Sequence, residues 1–422
     1  MFQVLNSSWA LFAGMFLLMV GNGLQGTLLG IRGGIEGFST FQMSVVMSAY
    51  FAGFMIGSRV TPEMIRRVGH VRVFAALGSF ISAALILYPA ITDPWAWSIL
   101  RVIIGFSFCG VYITAESWLN NAATNETRGK ALSLYMMVQM GGIVSAQALL
   151  NLGDPSGFIL FIITSVLVSI SFAPILLSVN PTPAFETTKR MSLRDIFNTS
   201  PLGCIGMFLV GGVFSSMFGM SSVYGSIAGL TVAQISIFVS SFYVGGLLLQ
   251  FPIGWASDRM DRRHLIFGVA AAGGVASLGG LLFSSGFAPL VAIGFLIGGL
   301  SNPLYALLLA YTNDFLDVDD MAAASGGLLF INGMGAIFGP LALGPIMETV
   351  GPEGYFLFIA ILMLGMAAYA AYRMTQRPAP SYEDNSSYVP VYPSATPVVM
   401  EAAQEVVIEA AEEATLEAEA TS

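Results

Sequence analysis

The chain has 422 residues, of which 55% are hydrophobic and only 10% charged, with a mean hydropathy of +0.77. Soluble domains run at about 25% charged residues, so this composition excludes a soluble body of this size and points to lipid as the solvent. The formal charge of −9 belongs to one segment: residues 378–422 hold nine acids and no Lys or Arg, while residues 1–377 carry 16 acids and 16 bases. The low pI therefore describes a tail, and no nucleic-acid partner is expected.

A membrane helix needs about 20 mostly apolar residues. In chain order this predicts spans near 9–30, 42–60, 72–92, 96–117, 129–151 and 157–179, then near 203–225, 232–256, 264–285, 287–311, 322–345 and 353–373. The first eight residues carry no Lys or Arg and lead into a long apolar run, so no cleavable leader is expected. The fold class is thus an all-α membrane protein of twelve transmembrane helices. Small residues are abundant, with 47 glycines, as suits helices that approach closely in lipid. Cys109 and Cys204 both lie in apolar stretches and read as packing thiols, with no disulfide or metal site expected.

Orientation follows from the basic residues. With the N-terminus inside, the cytoplasmic segments collect Arg59, Arg66, Arg67, Arg72, Arg128, Lys130, Lys189, Arg190, Arg194, Arg259, Arg262, Arg263, Arg373 and Arg377, which is 14 of the 16. Arg32 is left outside and Arg101 falls within the fourth span. Both termini are therefore expected in the cytoplasm. The polar stretch from Asn180 to Ser200 divides the spans six and six. This gives an N-terminal bundle at 1–180, a cytoplasmic linker at 181–202, a C-terminal bundle at 203–377 and a disordered acidic tail at 378–422. A transient helix is allowed from Glu401 to Ala420. Gly14 and Gly211, Gly57 and Gly254, Arg66 and Arg263, Gly129 and Gly326, and Gly142 and Gly339 repeat at an offset of 197, and parallel six-span repeats are a transporter architecture.

Polar groups inside spans mark the candidate solute site. A charge within a span costs about 2.5–3.5 kcal/mol on insertion scales and is a functional candidate by default. Arg101 is that charge, with snorkelling to the near interface as the alternative. Asn22, Gln25, Tyr112, Gln139, Tyr224, Gln250, Asn302 and Asn332 each either bond a neighbouring helix or line a cavity; Gln147, Tyr243 and Tyr305 pose the same choice. No Asp or Glu stands near the middle of any span, and His70 and His264 lie at loop positions, so a coupling proton is an open option that would have to use Glu116 or Asp314. No HExxH, Gly-x-Ser-x-Gly or metal cluster is present, and neither an enzyme nor a cofactor is expected.

The loop after the eighth span, Gly254-Trp-Ala-Ser-Asp258-Arg259-Met-Asp261-Arg262-Arg263, resembles the signature loop of the major facilitator superfamily, with Asp261 in place of its second glycine. The N-half loop from Gly57 through Thr61, Glu63, Arg66 and Arg67 to Gly69 is a looser version, with Thr61 where the family has aspartate and Glu63 as a substitute. Arg101-x-x-x-Gly105, Arg128-Gly129 and Gly335-Ala-Ile-Phe-Gly339-Pro340 are similar to further motifs of that family. Gly21-Asn22-Gly23, Glu116-Ser117-Trp118-Leu119-Asn120 and Gly69-His70-Val71-Arg72 resemble its bacterial YcaD-like branch.

The resemblance covers about residues 9–373. It implies alternating access between two helix bundles in a bacterial inner membrane, with membrane lipid and a small solute as partners and a monomer as the working unit. It also implies a conformational latch in which Glu116 pairs with Arg66, Arg67 and Arg128, and Asp314 with Arg259, Arg262 and Arg263. Asp258 would act at helix N-termini, and Gly57, Gly69 and Gly254 would shape the two loops. The alternative is that these charges only anchor loops and set topology. Arg101 leans the solute toward a polar or anionic metabolite. A multidrug exporter and a non-transporting membrane sensor are the competing functions.

Overall fold

The computed structural model describes residues 2–123, 125–177, 191–376, 388–391 and 395–408; the remaining residues, Lys189, Arg190 and Arg377 among them, lie outside this description. Twelve described helices are long and apolar enough to cross a membrane. They are α1 (Phe2–Ile35), α2 (Thr40–Val68), α3 (His70–Ala90), α4 (Pro94–Ala122), α5 (Asn125–Leu149) and α6 (Ile159–Leu177), then α8 (Pro201–Ile227), α9 (Val232–Ser257), α10 (Arg262–Phe283), α11 (Phe287–Asn313), α12 (Val318–Val350) and α13 (Gly354–Met374). A short helix, α7 (Leu193–Thr199), lies within the linker expected at 181–202, and residues 397–408 of the tail form a further helix, α14. Each predicted span coincides with one of the twelve.

Local chemistry sets the ends of these helices and shows the repeat. α1 ends at Gly37 (φ +76°), where the Phe38 N–H donates to Gly33 O at 2.9 Å; α8 ends at Gly229 (φ +74°), where the Leu230 N–H donates to Gly225 O at 2.9 Å. Only glycine takes this left-handed cap without strain. Two residues later Ser39 and Thr231 cap α2 and α9, each in a reciprocal capping box with a glutamine, Gln42 or Gln234. These pairs stand 192 residues apart (Gly37 and Gly229, Ser39 and Thr231). The starts of α3 and α10, His70 and Arg262, keep the same spacing. The repeat expected at 197 thus runs at 192 through the first three helices of each half. The glycines matched at 197 were neighbours in register rather than equivalents.

Packing repeats as well. α2 lies on α4 as α9 lies on α11, α1 on α5 as α8 on α12, and α3 on α6 as α10 on α13. The α2–α4 crossing depends on Gly105: a Cβ there would lie 1.9 Å from Tyr50 O, so no larger residue fits between the backbones. Gly298 makes the equivalent approach to Phe242 in α11 and α9. Between the halves, α1 meets α8, α2 meets α12 and α5 meets α9.

Successive helices run antiparallel, so the α2–α3 and α9–α10 turns share one end of the bundle, here called the basic end. The opposite end is closed by direct contact of the two halves. Ser48 Oγ donates to Ile337 O at 2.5 Å, the Phe41 N–H donates to Glu348 Oε1 at 2.8 Å, and Asn151 Nδ2 donates to Ser236 Oγ at 3.2 Å. A Cβ on Gly30 would lie 2.0 Å from Ser222 Oγ, which shows how tightly α1 and α8 meet there.

Candidate functional site

A cavity of about 410 Å³ lies between the two halves. That size falls in the range of small-molecule sites. Its wall combines some of the residues that the sequence marked as polar within spans with a belt of aromatic rings.

Arg101 sits in the second turn of α4, a helix started by Asp93, whose carboxylate accepts from the N–H groups of Trp95 and Ala96, and by Pro94. The side chain is 4% exposed and lines the cavity rather than reaching the near interface. Its Nη1 donates to Gln25 Oε1 at 2.9 Å, its Nη2 contacts Met47 Sδ at 3.1 Å, and its guanidinium lies over the Tyr50 ring at 5.0 Å. The Nε is buried without a hydrogen-bond partner. No carboxylate pairs with this cation among the described residues.

The network continues from Gln25, whose Nε2 donates to Asn22 Oδ1 at 3.1 Å, to Asn22, whose Nδ2 donates to Tyr112 Oη at 2.9 Å. One cation, two amides and a phenol on α1 and α4 thereby form a continuous donor–acceptor row. Such a row fixes side-chain orientation, because each member is held by the next. Arg101 lines the cavity, with its buried Nε left without a hydrogen-bond partner.

Asn22, Gln25, Arg101, Tyr112, Gln139 and Asn332 line this cavity. Tyr224, Gln250 and Asn302 do not. Tyr224 is stacked on Tyr355 with ring centroids 5.0 Å apart, inside the C-terminal half. Asn302 donates to Gly298 O at 3.0 Å within α11, and Gln250 is buried in α9. The hydropathy pattern could not separate these from cavity residues, because an inward-facing amide has the same sequence signature whichever neighbour it meets. The structure adds Tyr50, Phe51, Phe54, Phe214, Phe218 and Tyr243 to the wall. Tyr243 was named among the undecided residues. The spacing of Tyr50 with Phe54 and of Phe214 with Phe218, four residues apart on one helix face, was the signal available for the others.

The residues singled out as a latch fall into two groups at the basic end. Glu63 pairs with Arg66 and, at 2.7 Å, with Arg67, on the exposed last turn of α2. Gly57 packs α2 on α4 against Phe106 and Cys109, and Gly69 (φ +85°) terminates α2. Glu116 is buried and accepts from Tyr135 Oη at 2.8 Å and from Thr396 of the tail, rather than from Arg66, Arg67 or Arg128. Arg128 bonds Asn120 Oδ1 at 3.1 Å and pairs with Glu405 at 3.2 Å.

In the C-terminal half, Arg262 is 1% exposed, ion-pairs with Asp314, and bonds Ser257 Oγ at 3.0 Å and Ala310 O at 3.3 Å. Asp258 lies 3.7 Å from Arg262, and Arg259 stacks on the Trp255 ring at 4.5 Å. Asp261 caps α10 and holds Arg263 at 2.8 Å. Partial burial pushes the Asp261 carboxyl up, but the Arg263 hydrogen bonds outweigh it and hold the group below its ordinary range. Gly254 packs against the Tyr388 ring.

Comparison with known proteins agrees with this geometry. The profile of the Major Facilitator Superfamily matches residues 11–233 and 205–399. The MFS-type transporter YcaD of Escherichia fergusonii is 24% identical over 356 residues, covering 83% of this chain and 91% of that protein. The YcaD protein of Salmonella newport is 25% identical over 358 residues, covering 83% and 91%. Among solved structures, the nucleoside transporter NupG superposes with a TM-score of 0.73 at 15% identity, covering 88% of this chain and 100% of the other. The Escherichia coli fucose:proton symporter FucP superposes with a TM-score of 0.55 at 14% identity, covering 88% and 99%. With twelve spans in two repeats around a central cavity, and a family match along most of its length, the chain belongs to the Major Facilitator Superfamily of membrane transporters.

Proposed function

We propose that the chain carries a small polar or anionic solute across the membrane by alternating access, binding it in the central cavity at Arg101. The observation that carries this reading is the buried guanidinium, with no carboxylate beside it among the described residues and an Nε left without a partner. A buried cation of this kind is costly unless something anionic or strongly accepting joins it. The row Gln25–Asn22–Tyr112 supplies further donors and acceptors for a polar solute.

Alternating access requires one end of the cavity to close as the other opens. The cross-half contacts of Ser48, Phe41 and Asn151 support a closed outer end, with the basic end facing the cytoplasm and both termini on that side. The membrane in this reading is a bacterial inner membrane, and the working unit is a monomer. The Arg262–Asp314 pair, with Asp258 beside it, acts as the C-half latch. Coupling to a proton is left to Glu116 or Asp314, the two buried carboxylates at the basic end.

A second reading, a multidrug exporter, draws on the aromatic wall of Tyr50, Phe51, Phe54, Phe214, Phe218 and Tyr243, which suits flat lipophilic compounds. A thermal-shift screen of purified protein against anionic, neutral and cationic metabolites and drugs, repeated with Arg101→Ala, separates the two. A ligand at about 100 times its dissociation constant stabilises by about 2.7 kcal/mol. The expected result is stabilisation by anions that disappears in Arg101→Ala. Stabilisation by diverse lipophilic cations, unchanged in the variant, overturns it in favour of the exporter.

A further inference from the structure

The composition of the tail reads as a solvated acidic segment, yet its described part is packed into the protein. The Tyr388 N–H donates to Asp258 Oδ1 at 3.0 Å. Thr396 Oγ1 donates to Glu116. In α14, Val398, Val399, Met400, Ala402, Ala403 and Val407 are buried, a helical stripe within an otherwise acidic sequence. Gln404 accepts from Asn313 Nδ2 at 2.8 Å and donates to Ser325 Oγ at 2.7 Å, and Glu405 pairs with Arg128 at 3.2 Å.

These partners belong to both halves. Glu116 and Arg128 are on α4 and α5, while Asn313 and Ser325 are on α11 and α12. Pro397, Val398, Met400 and Glu401 form part of the cavity wall, beside Ser58 and Arg59 of α2 and Gly326 and Phe330 of α12. The helix therefore sits in the mouth of the cavity at its basic end, while the other end is closed by the halves themselves.

We infer that α14 is a built-in plug: the groove between the halves at the basic end binds this segment of the chain's own tail, and a solute passes that end only after the segment leaves. A helix with its side chains is about 10–12 Å across, so the mouth must be open to admit it and the halves cannot close there while it is seated. The plug thus binds one conformation and not the other, which is the condition for a segment to shift the equilibrium between them. The sequence offers chemistry for this in the pairing of uncharged Thr396 and Gln404 with buried polar groups, where an acid would meet Glu116 or stand unpaired.

The inference rests on the cavity being the transport path, but its test does not measure transport, so the two fail separately. The probe is a membrane-impermeant maleimide reacting with Ser58→Cys in purified protein, where Cys109 and Cys204 are buried and contribute little. Three chains are compared: the full chain, a chain ending at Arg377, and the full chain with Thr396→Glu, which sets a carboxylate against Glu116. Labelling is expected to be at least about tenfold faster in the second and third than in the first, and to slow again when a synthetic peptide of residues 388–408 is added to the shortened chain. Equal rates in the full and shortened chains overturn the inference. If the shortened chain does not fold, the Thr396→Glu chain decides alone: slow labelling in that folded protein overturns the plug, and fast labelling supports it.

Discussion

The α2–α3 turn and the α9–α10 turn occupy the same place in the two repeats and are held by different chemistry. In the first, Glu63 takes both Arg66 and Arg67, with side-chain exposures of 38%, 63% and 74%, and α3 starts at Gly69 with no side-chain cap. In the second, Arg262 is 1% and Asp314 3% exposed, and Asp261 both caps α10 and grips Arg263. The repeat register explains the difference. His70 stands where Arg262 stands, 192 residues on. Asn121 stands where Asp314 does, at the spacing of 193 shown by Gly105 and Gly298. The N-terminal turn therefore lacks both members of the buried pair, and its exposed charges are not a second copy of the latch. The C-terminal half is pinned at the basic end by a desolvated ion pair, whereas the N-terminal half carries exposed Glu63–arginine pairs at its turn and a buried Glu116 that accepts from Tyr135 and Thr396.

The largest effect should come from Arg262→Ala, which removes the guanidinium that ion-pairs with the buried Asp314. Breaking a buried pair from one side costs about 3–5 kcal/mol, and the detergent-purified variant should melt well below the parent. A melting temperature within error of the parent would remove the contrast between the two turns. Asp261→Ala should cost about 1 kcal/mol through loss of the α10 cap. Because the folded carboxyl lies below its ordinary value of 3.8, the stability it contributes is present above that pH and is lost as the pH falls through the lower folded value. The melting difference between parent and Asp261→Ala should therefore shrink in acid, and a difference that grows there would contradict the assigned grip on Arg263. The smallest effect is expected for Glu63→Gln, because exposed pairs contribute little. A clear loss of stability in that variant would mean that the α2–α3 turn carries a load its exposure does not suggest.

How far the sequence could anticipate these features depends on the kind of interaction involved. The twelve spans were legible because hydropathy over about 20 residues is a local property. The signature loop offered Arg259, Arg262 and Arg263 as partners of Asp314, and Arg262 at the start of α10 is the one that ion-pairs with it. Arg101 with Gln25 and Asn22 stood out because charge and amides are rare in spans. The 197-residue offset misled because glycines recur often enough to match out of register, whereas the capped turns at Ser39 and Thr231 fix it. Tyr224, Gln250 and Asn302 share their sequence character with the cavity residues but meet other helices, a distinction made only by tertiary packing. The packing of α14 was illegible for the same reason. Its short apolar stripe is too small to signal burial until Glu116, Asn313 and Ser325 are brought around it.

The central claim, transport through an anion-selective cavity, is tested most directly by solute counterflow in proteoliposomes. Vesicles preloaded with an excess of an anion that stabilises the parent protein are diluted into a trace of the same labelled anion. The account predicts transient accumulation of label in vesicles carrying the parent chain and none with Arg101→Ala. Stabilisation by the anion without any exchange would contradict transport and point to a binding protein that senses its solute across the same fold.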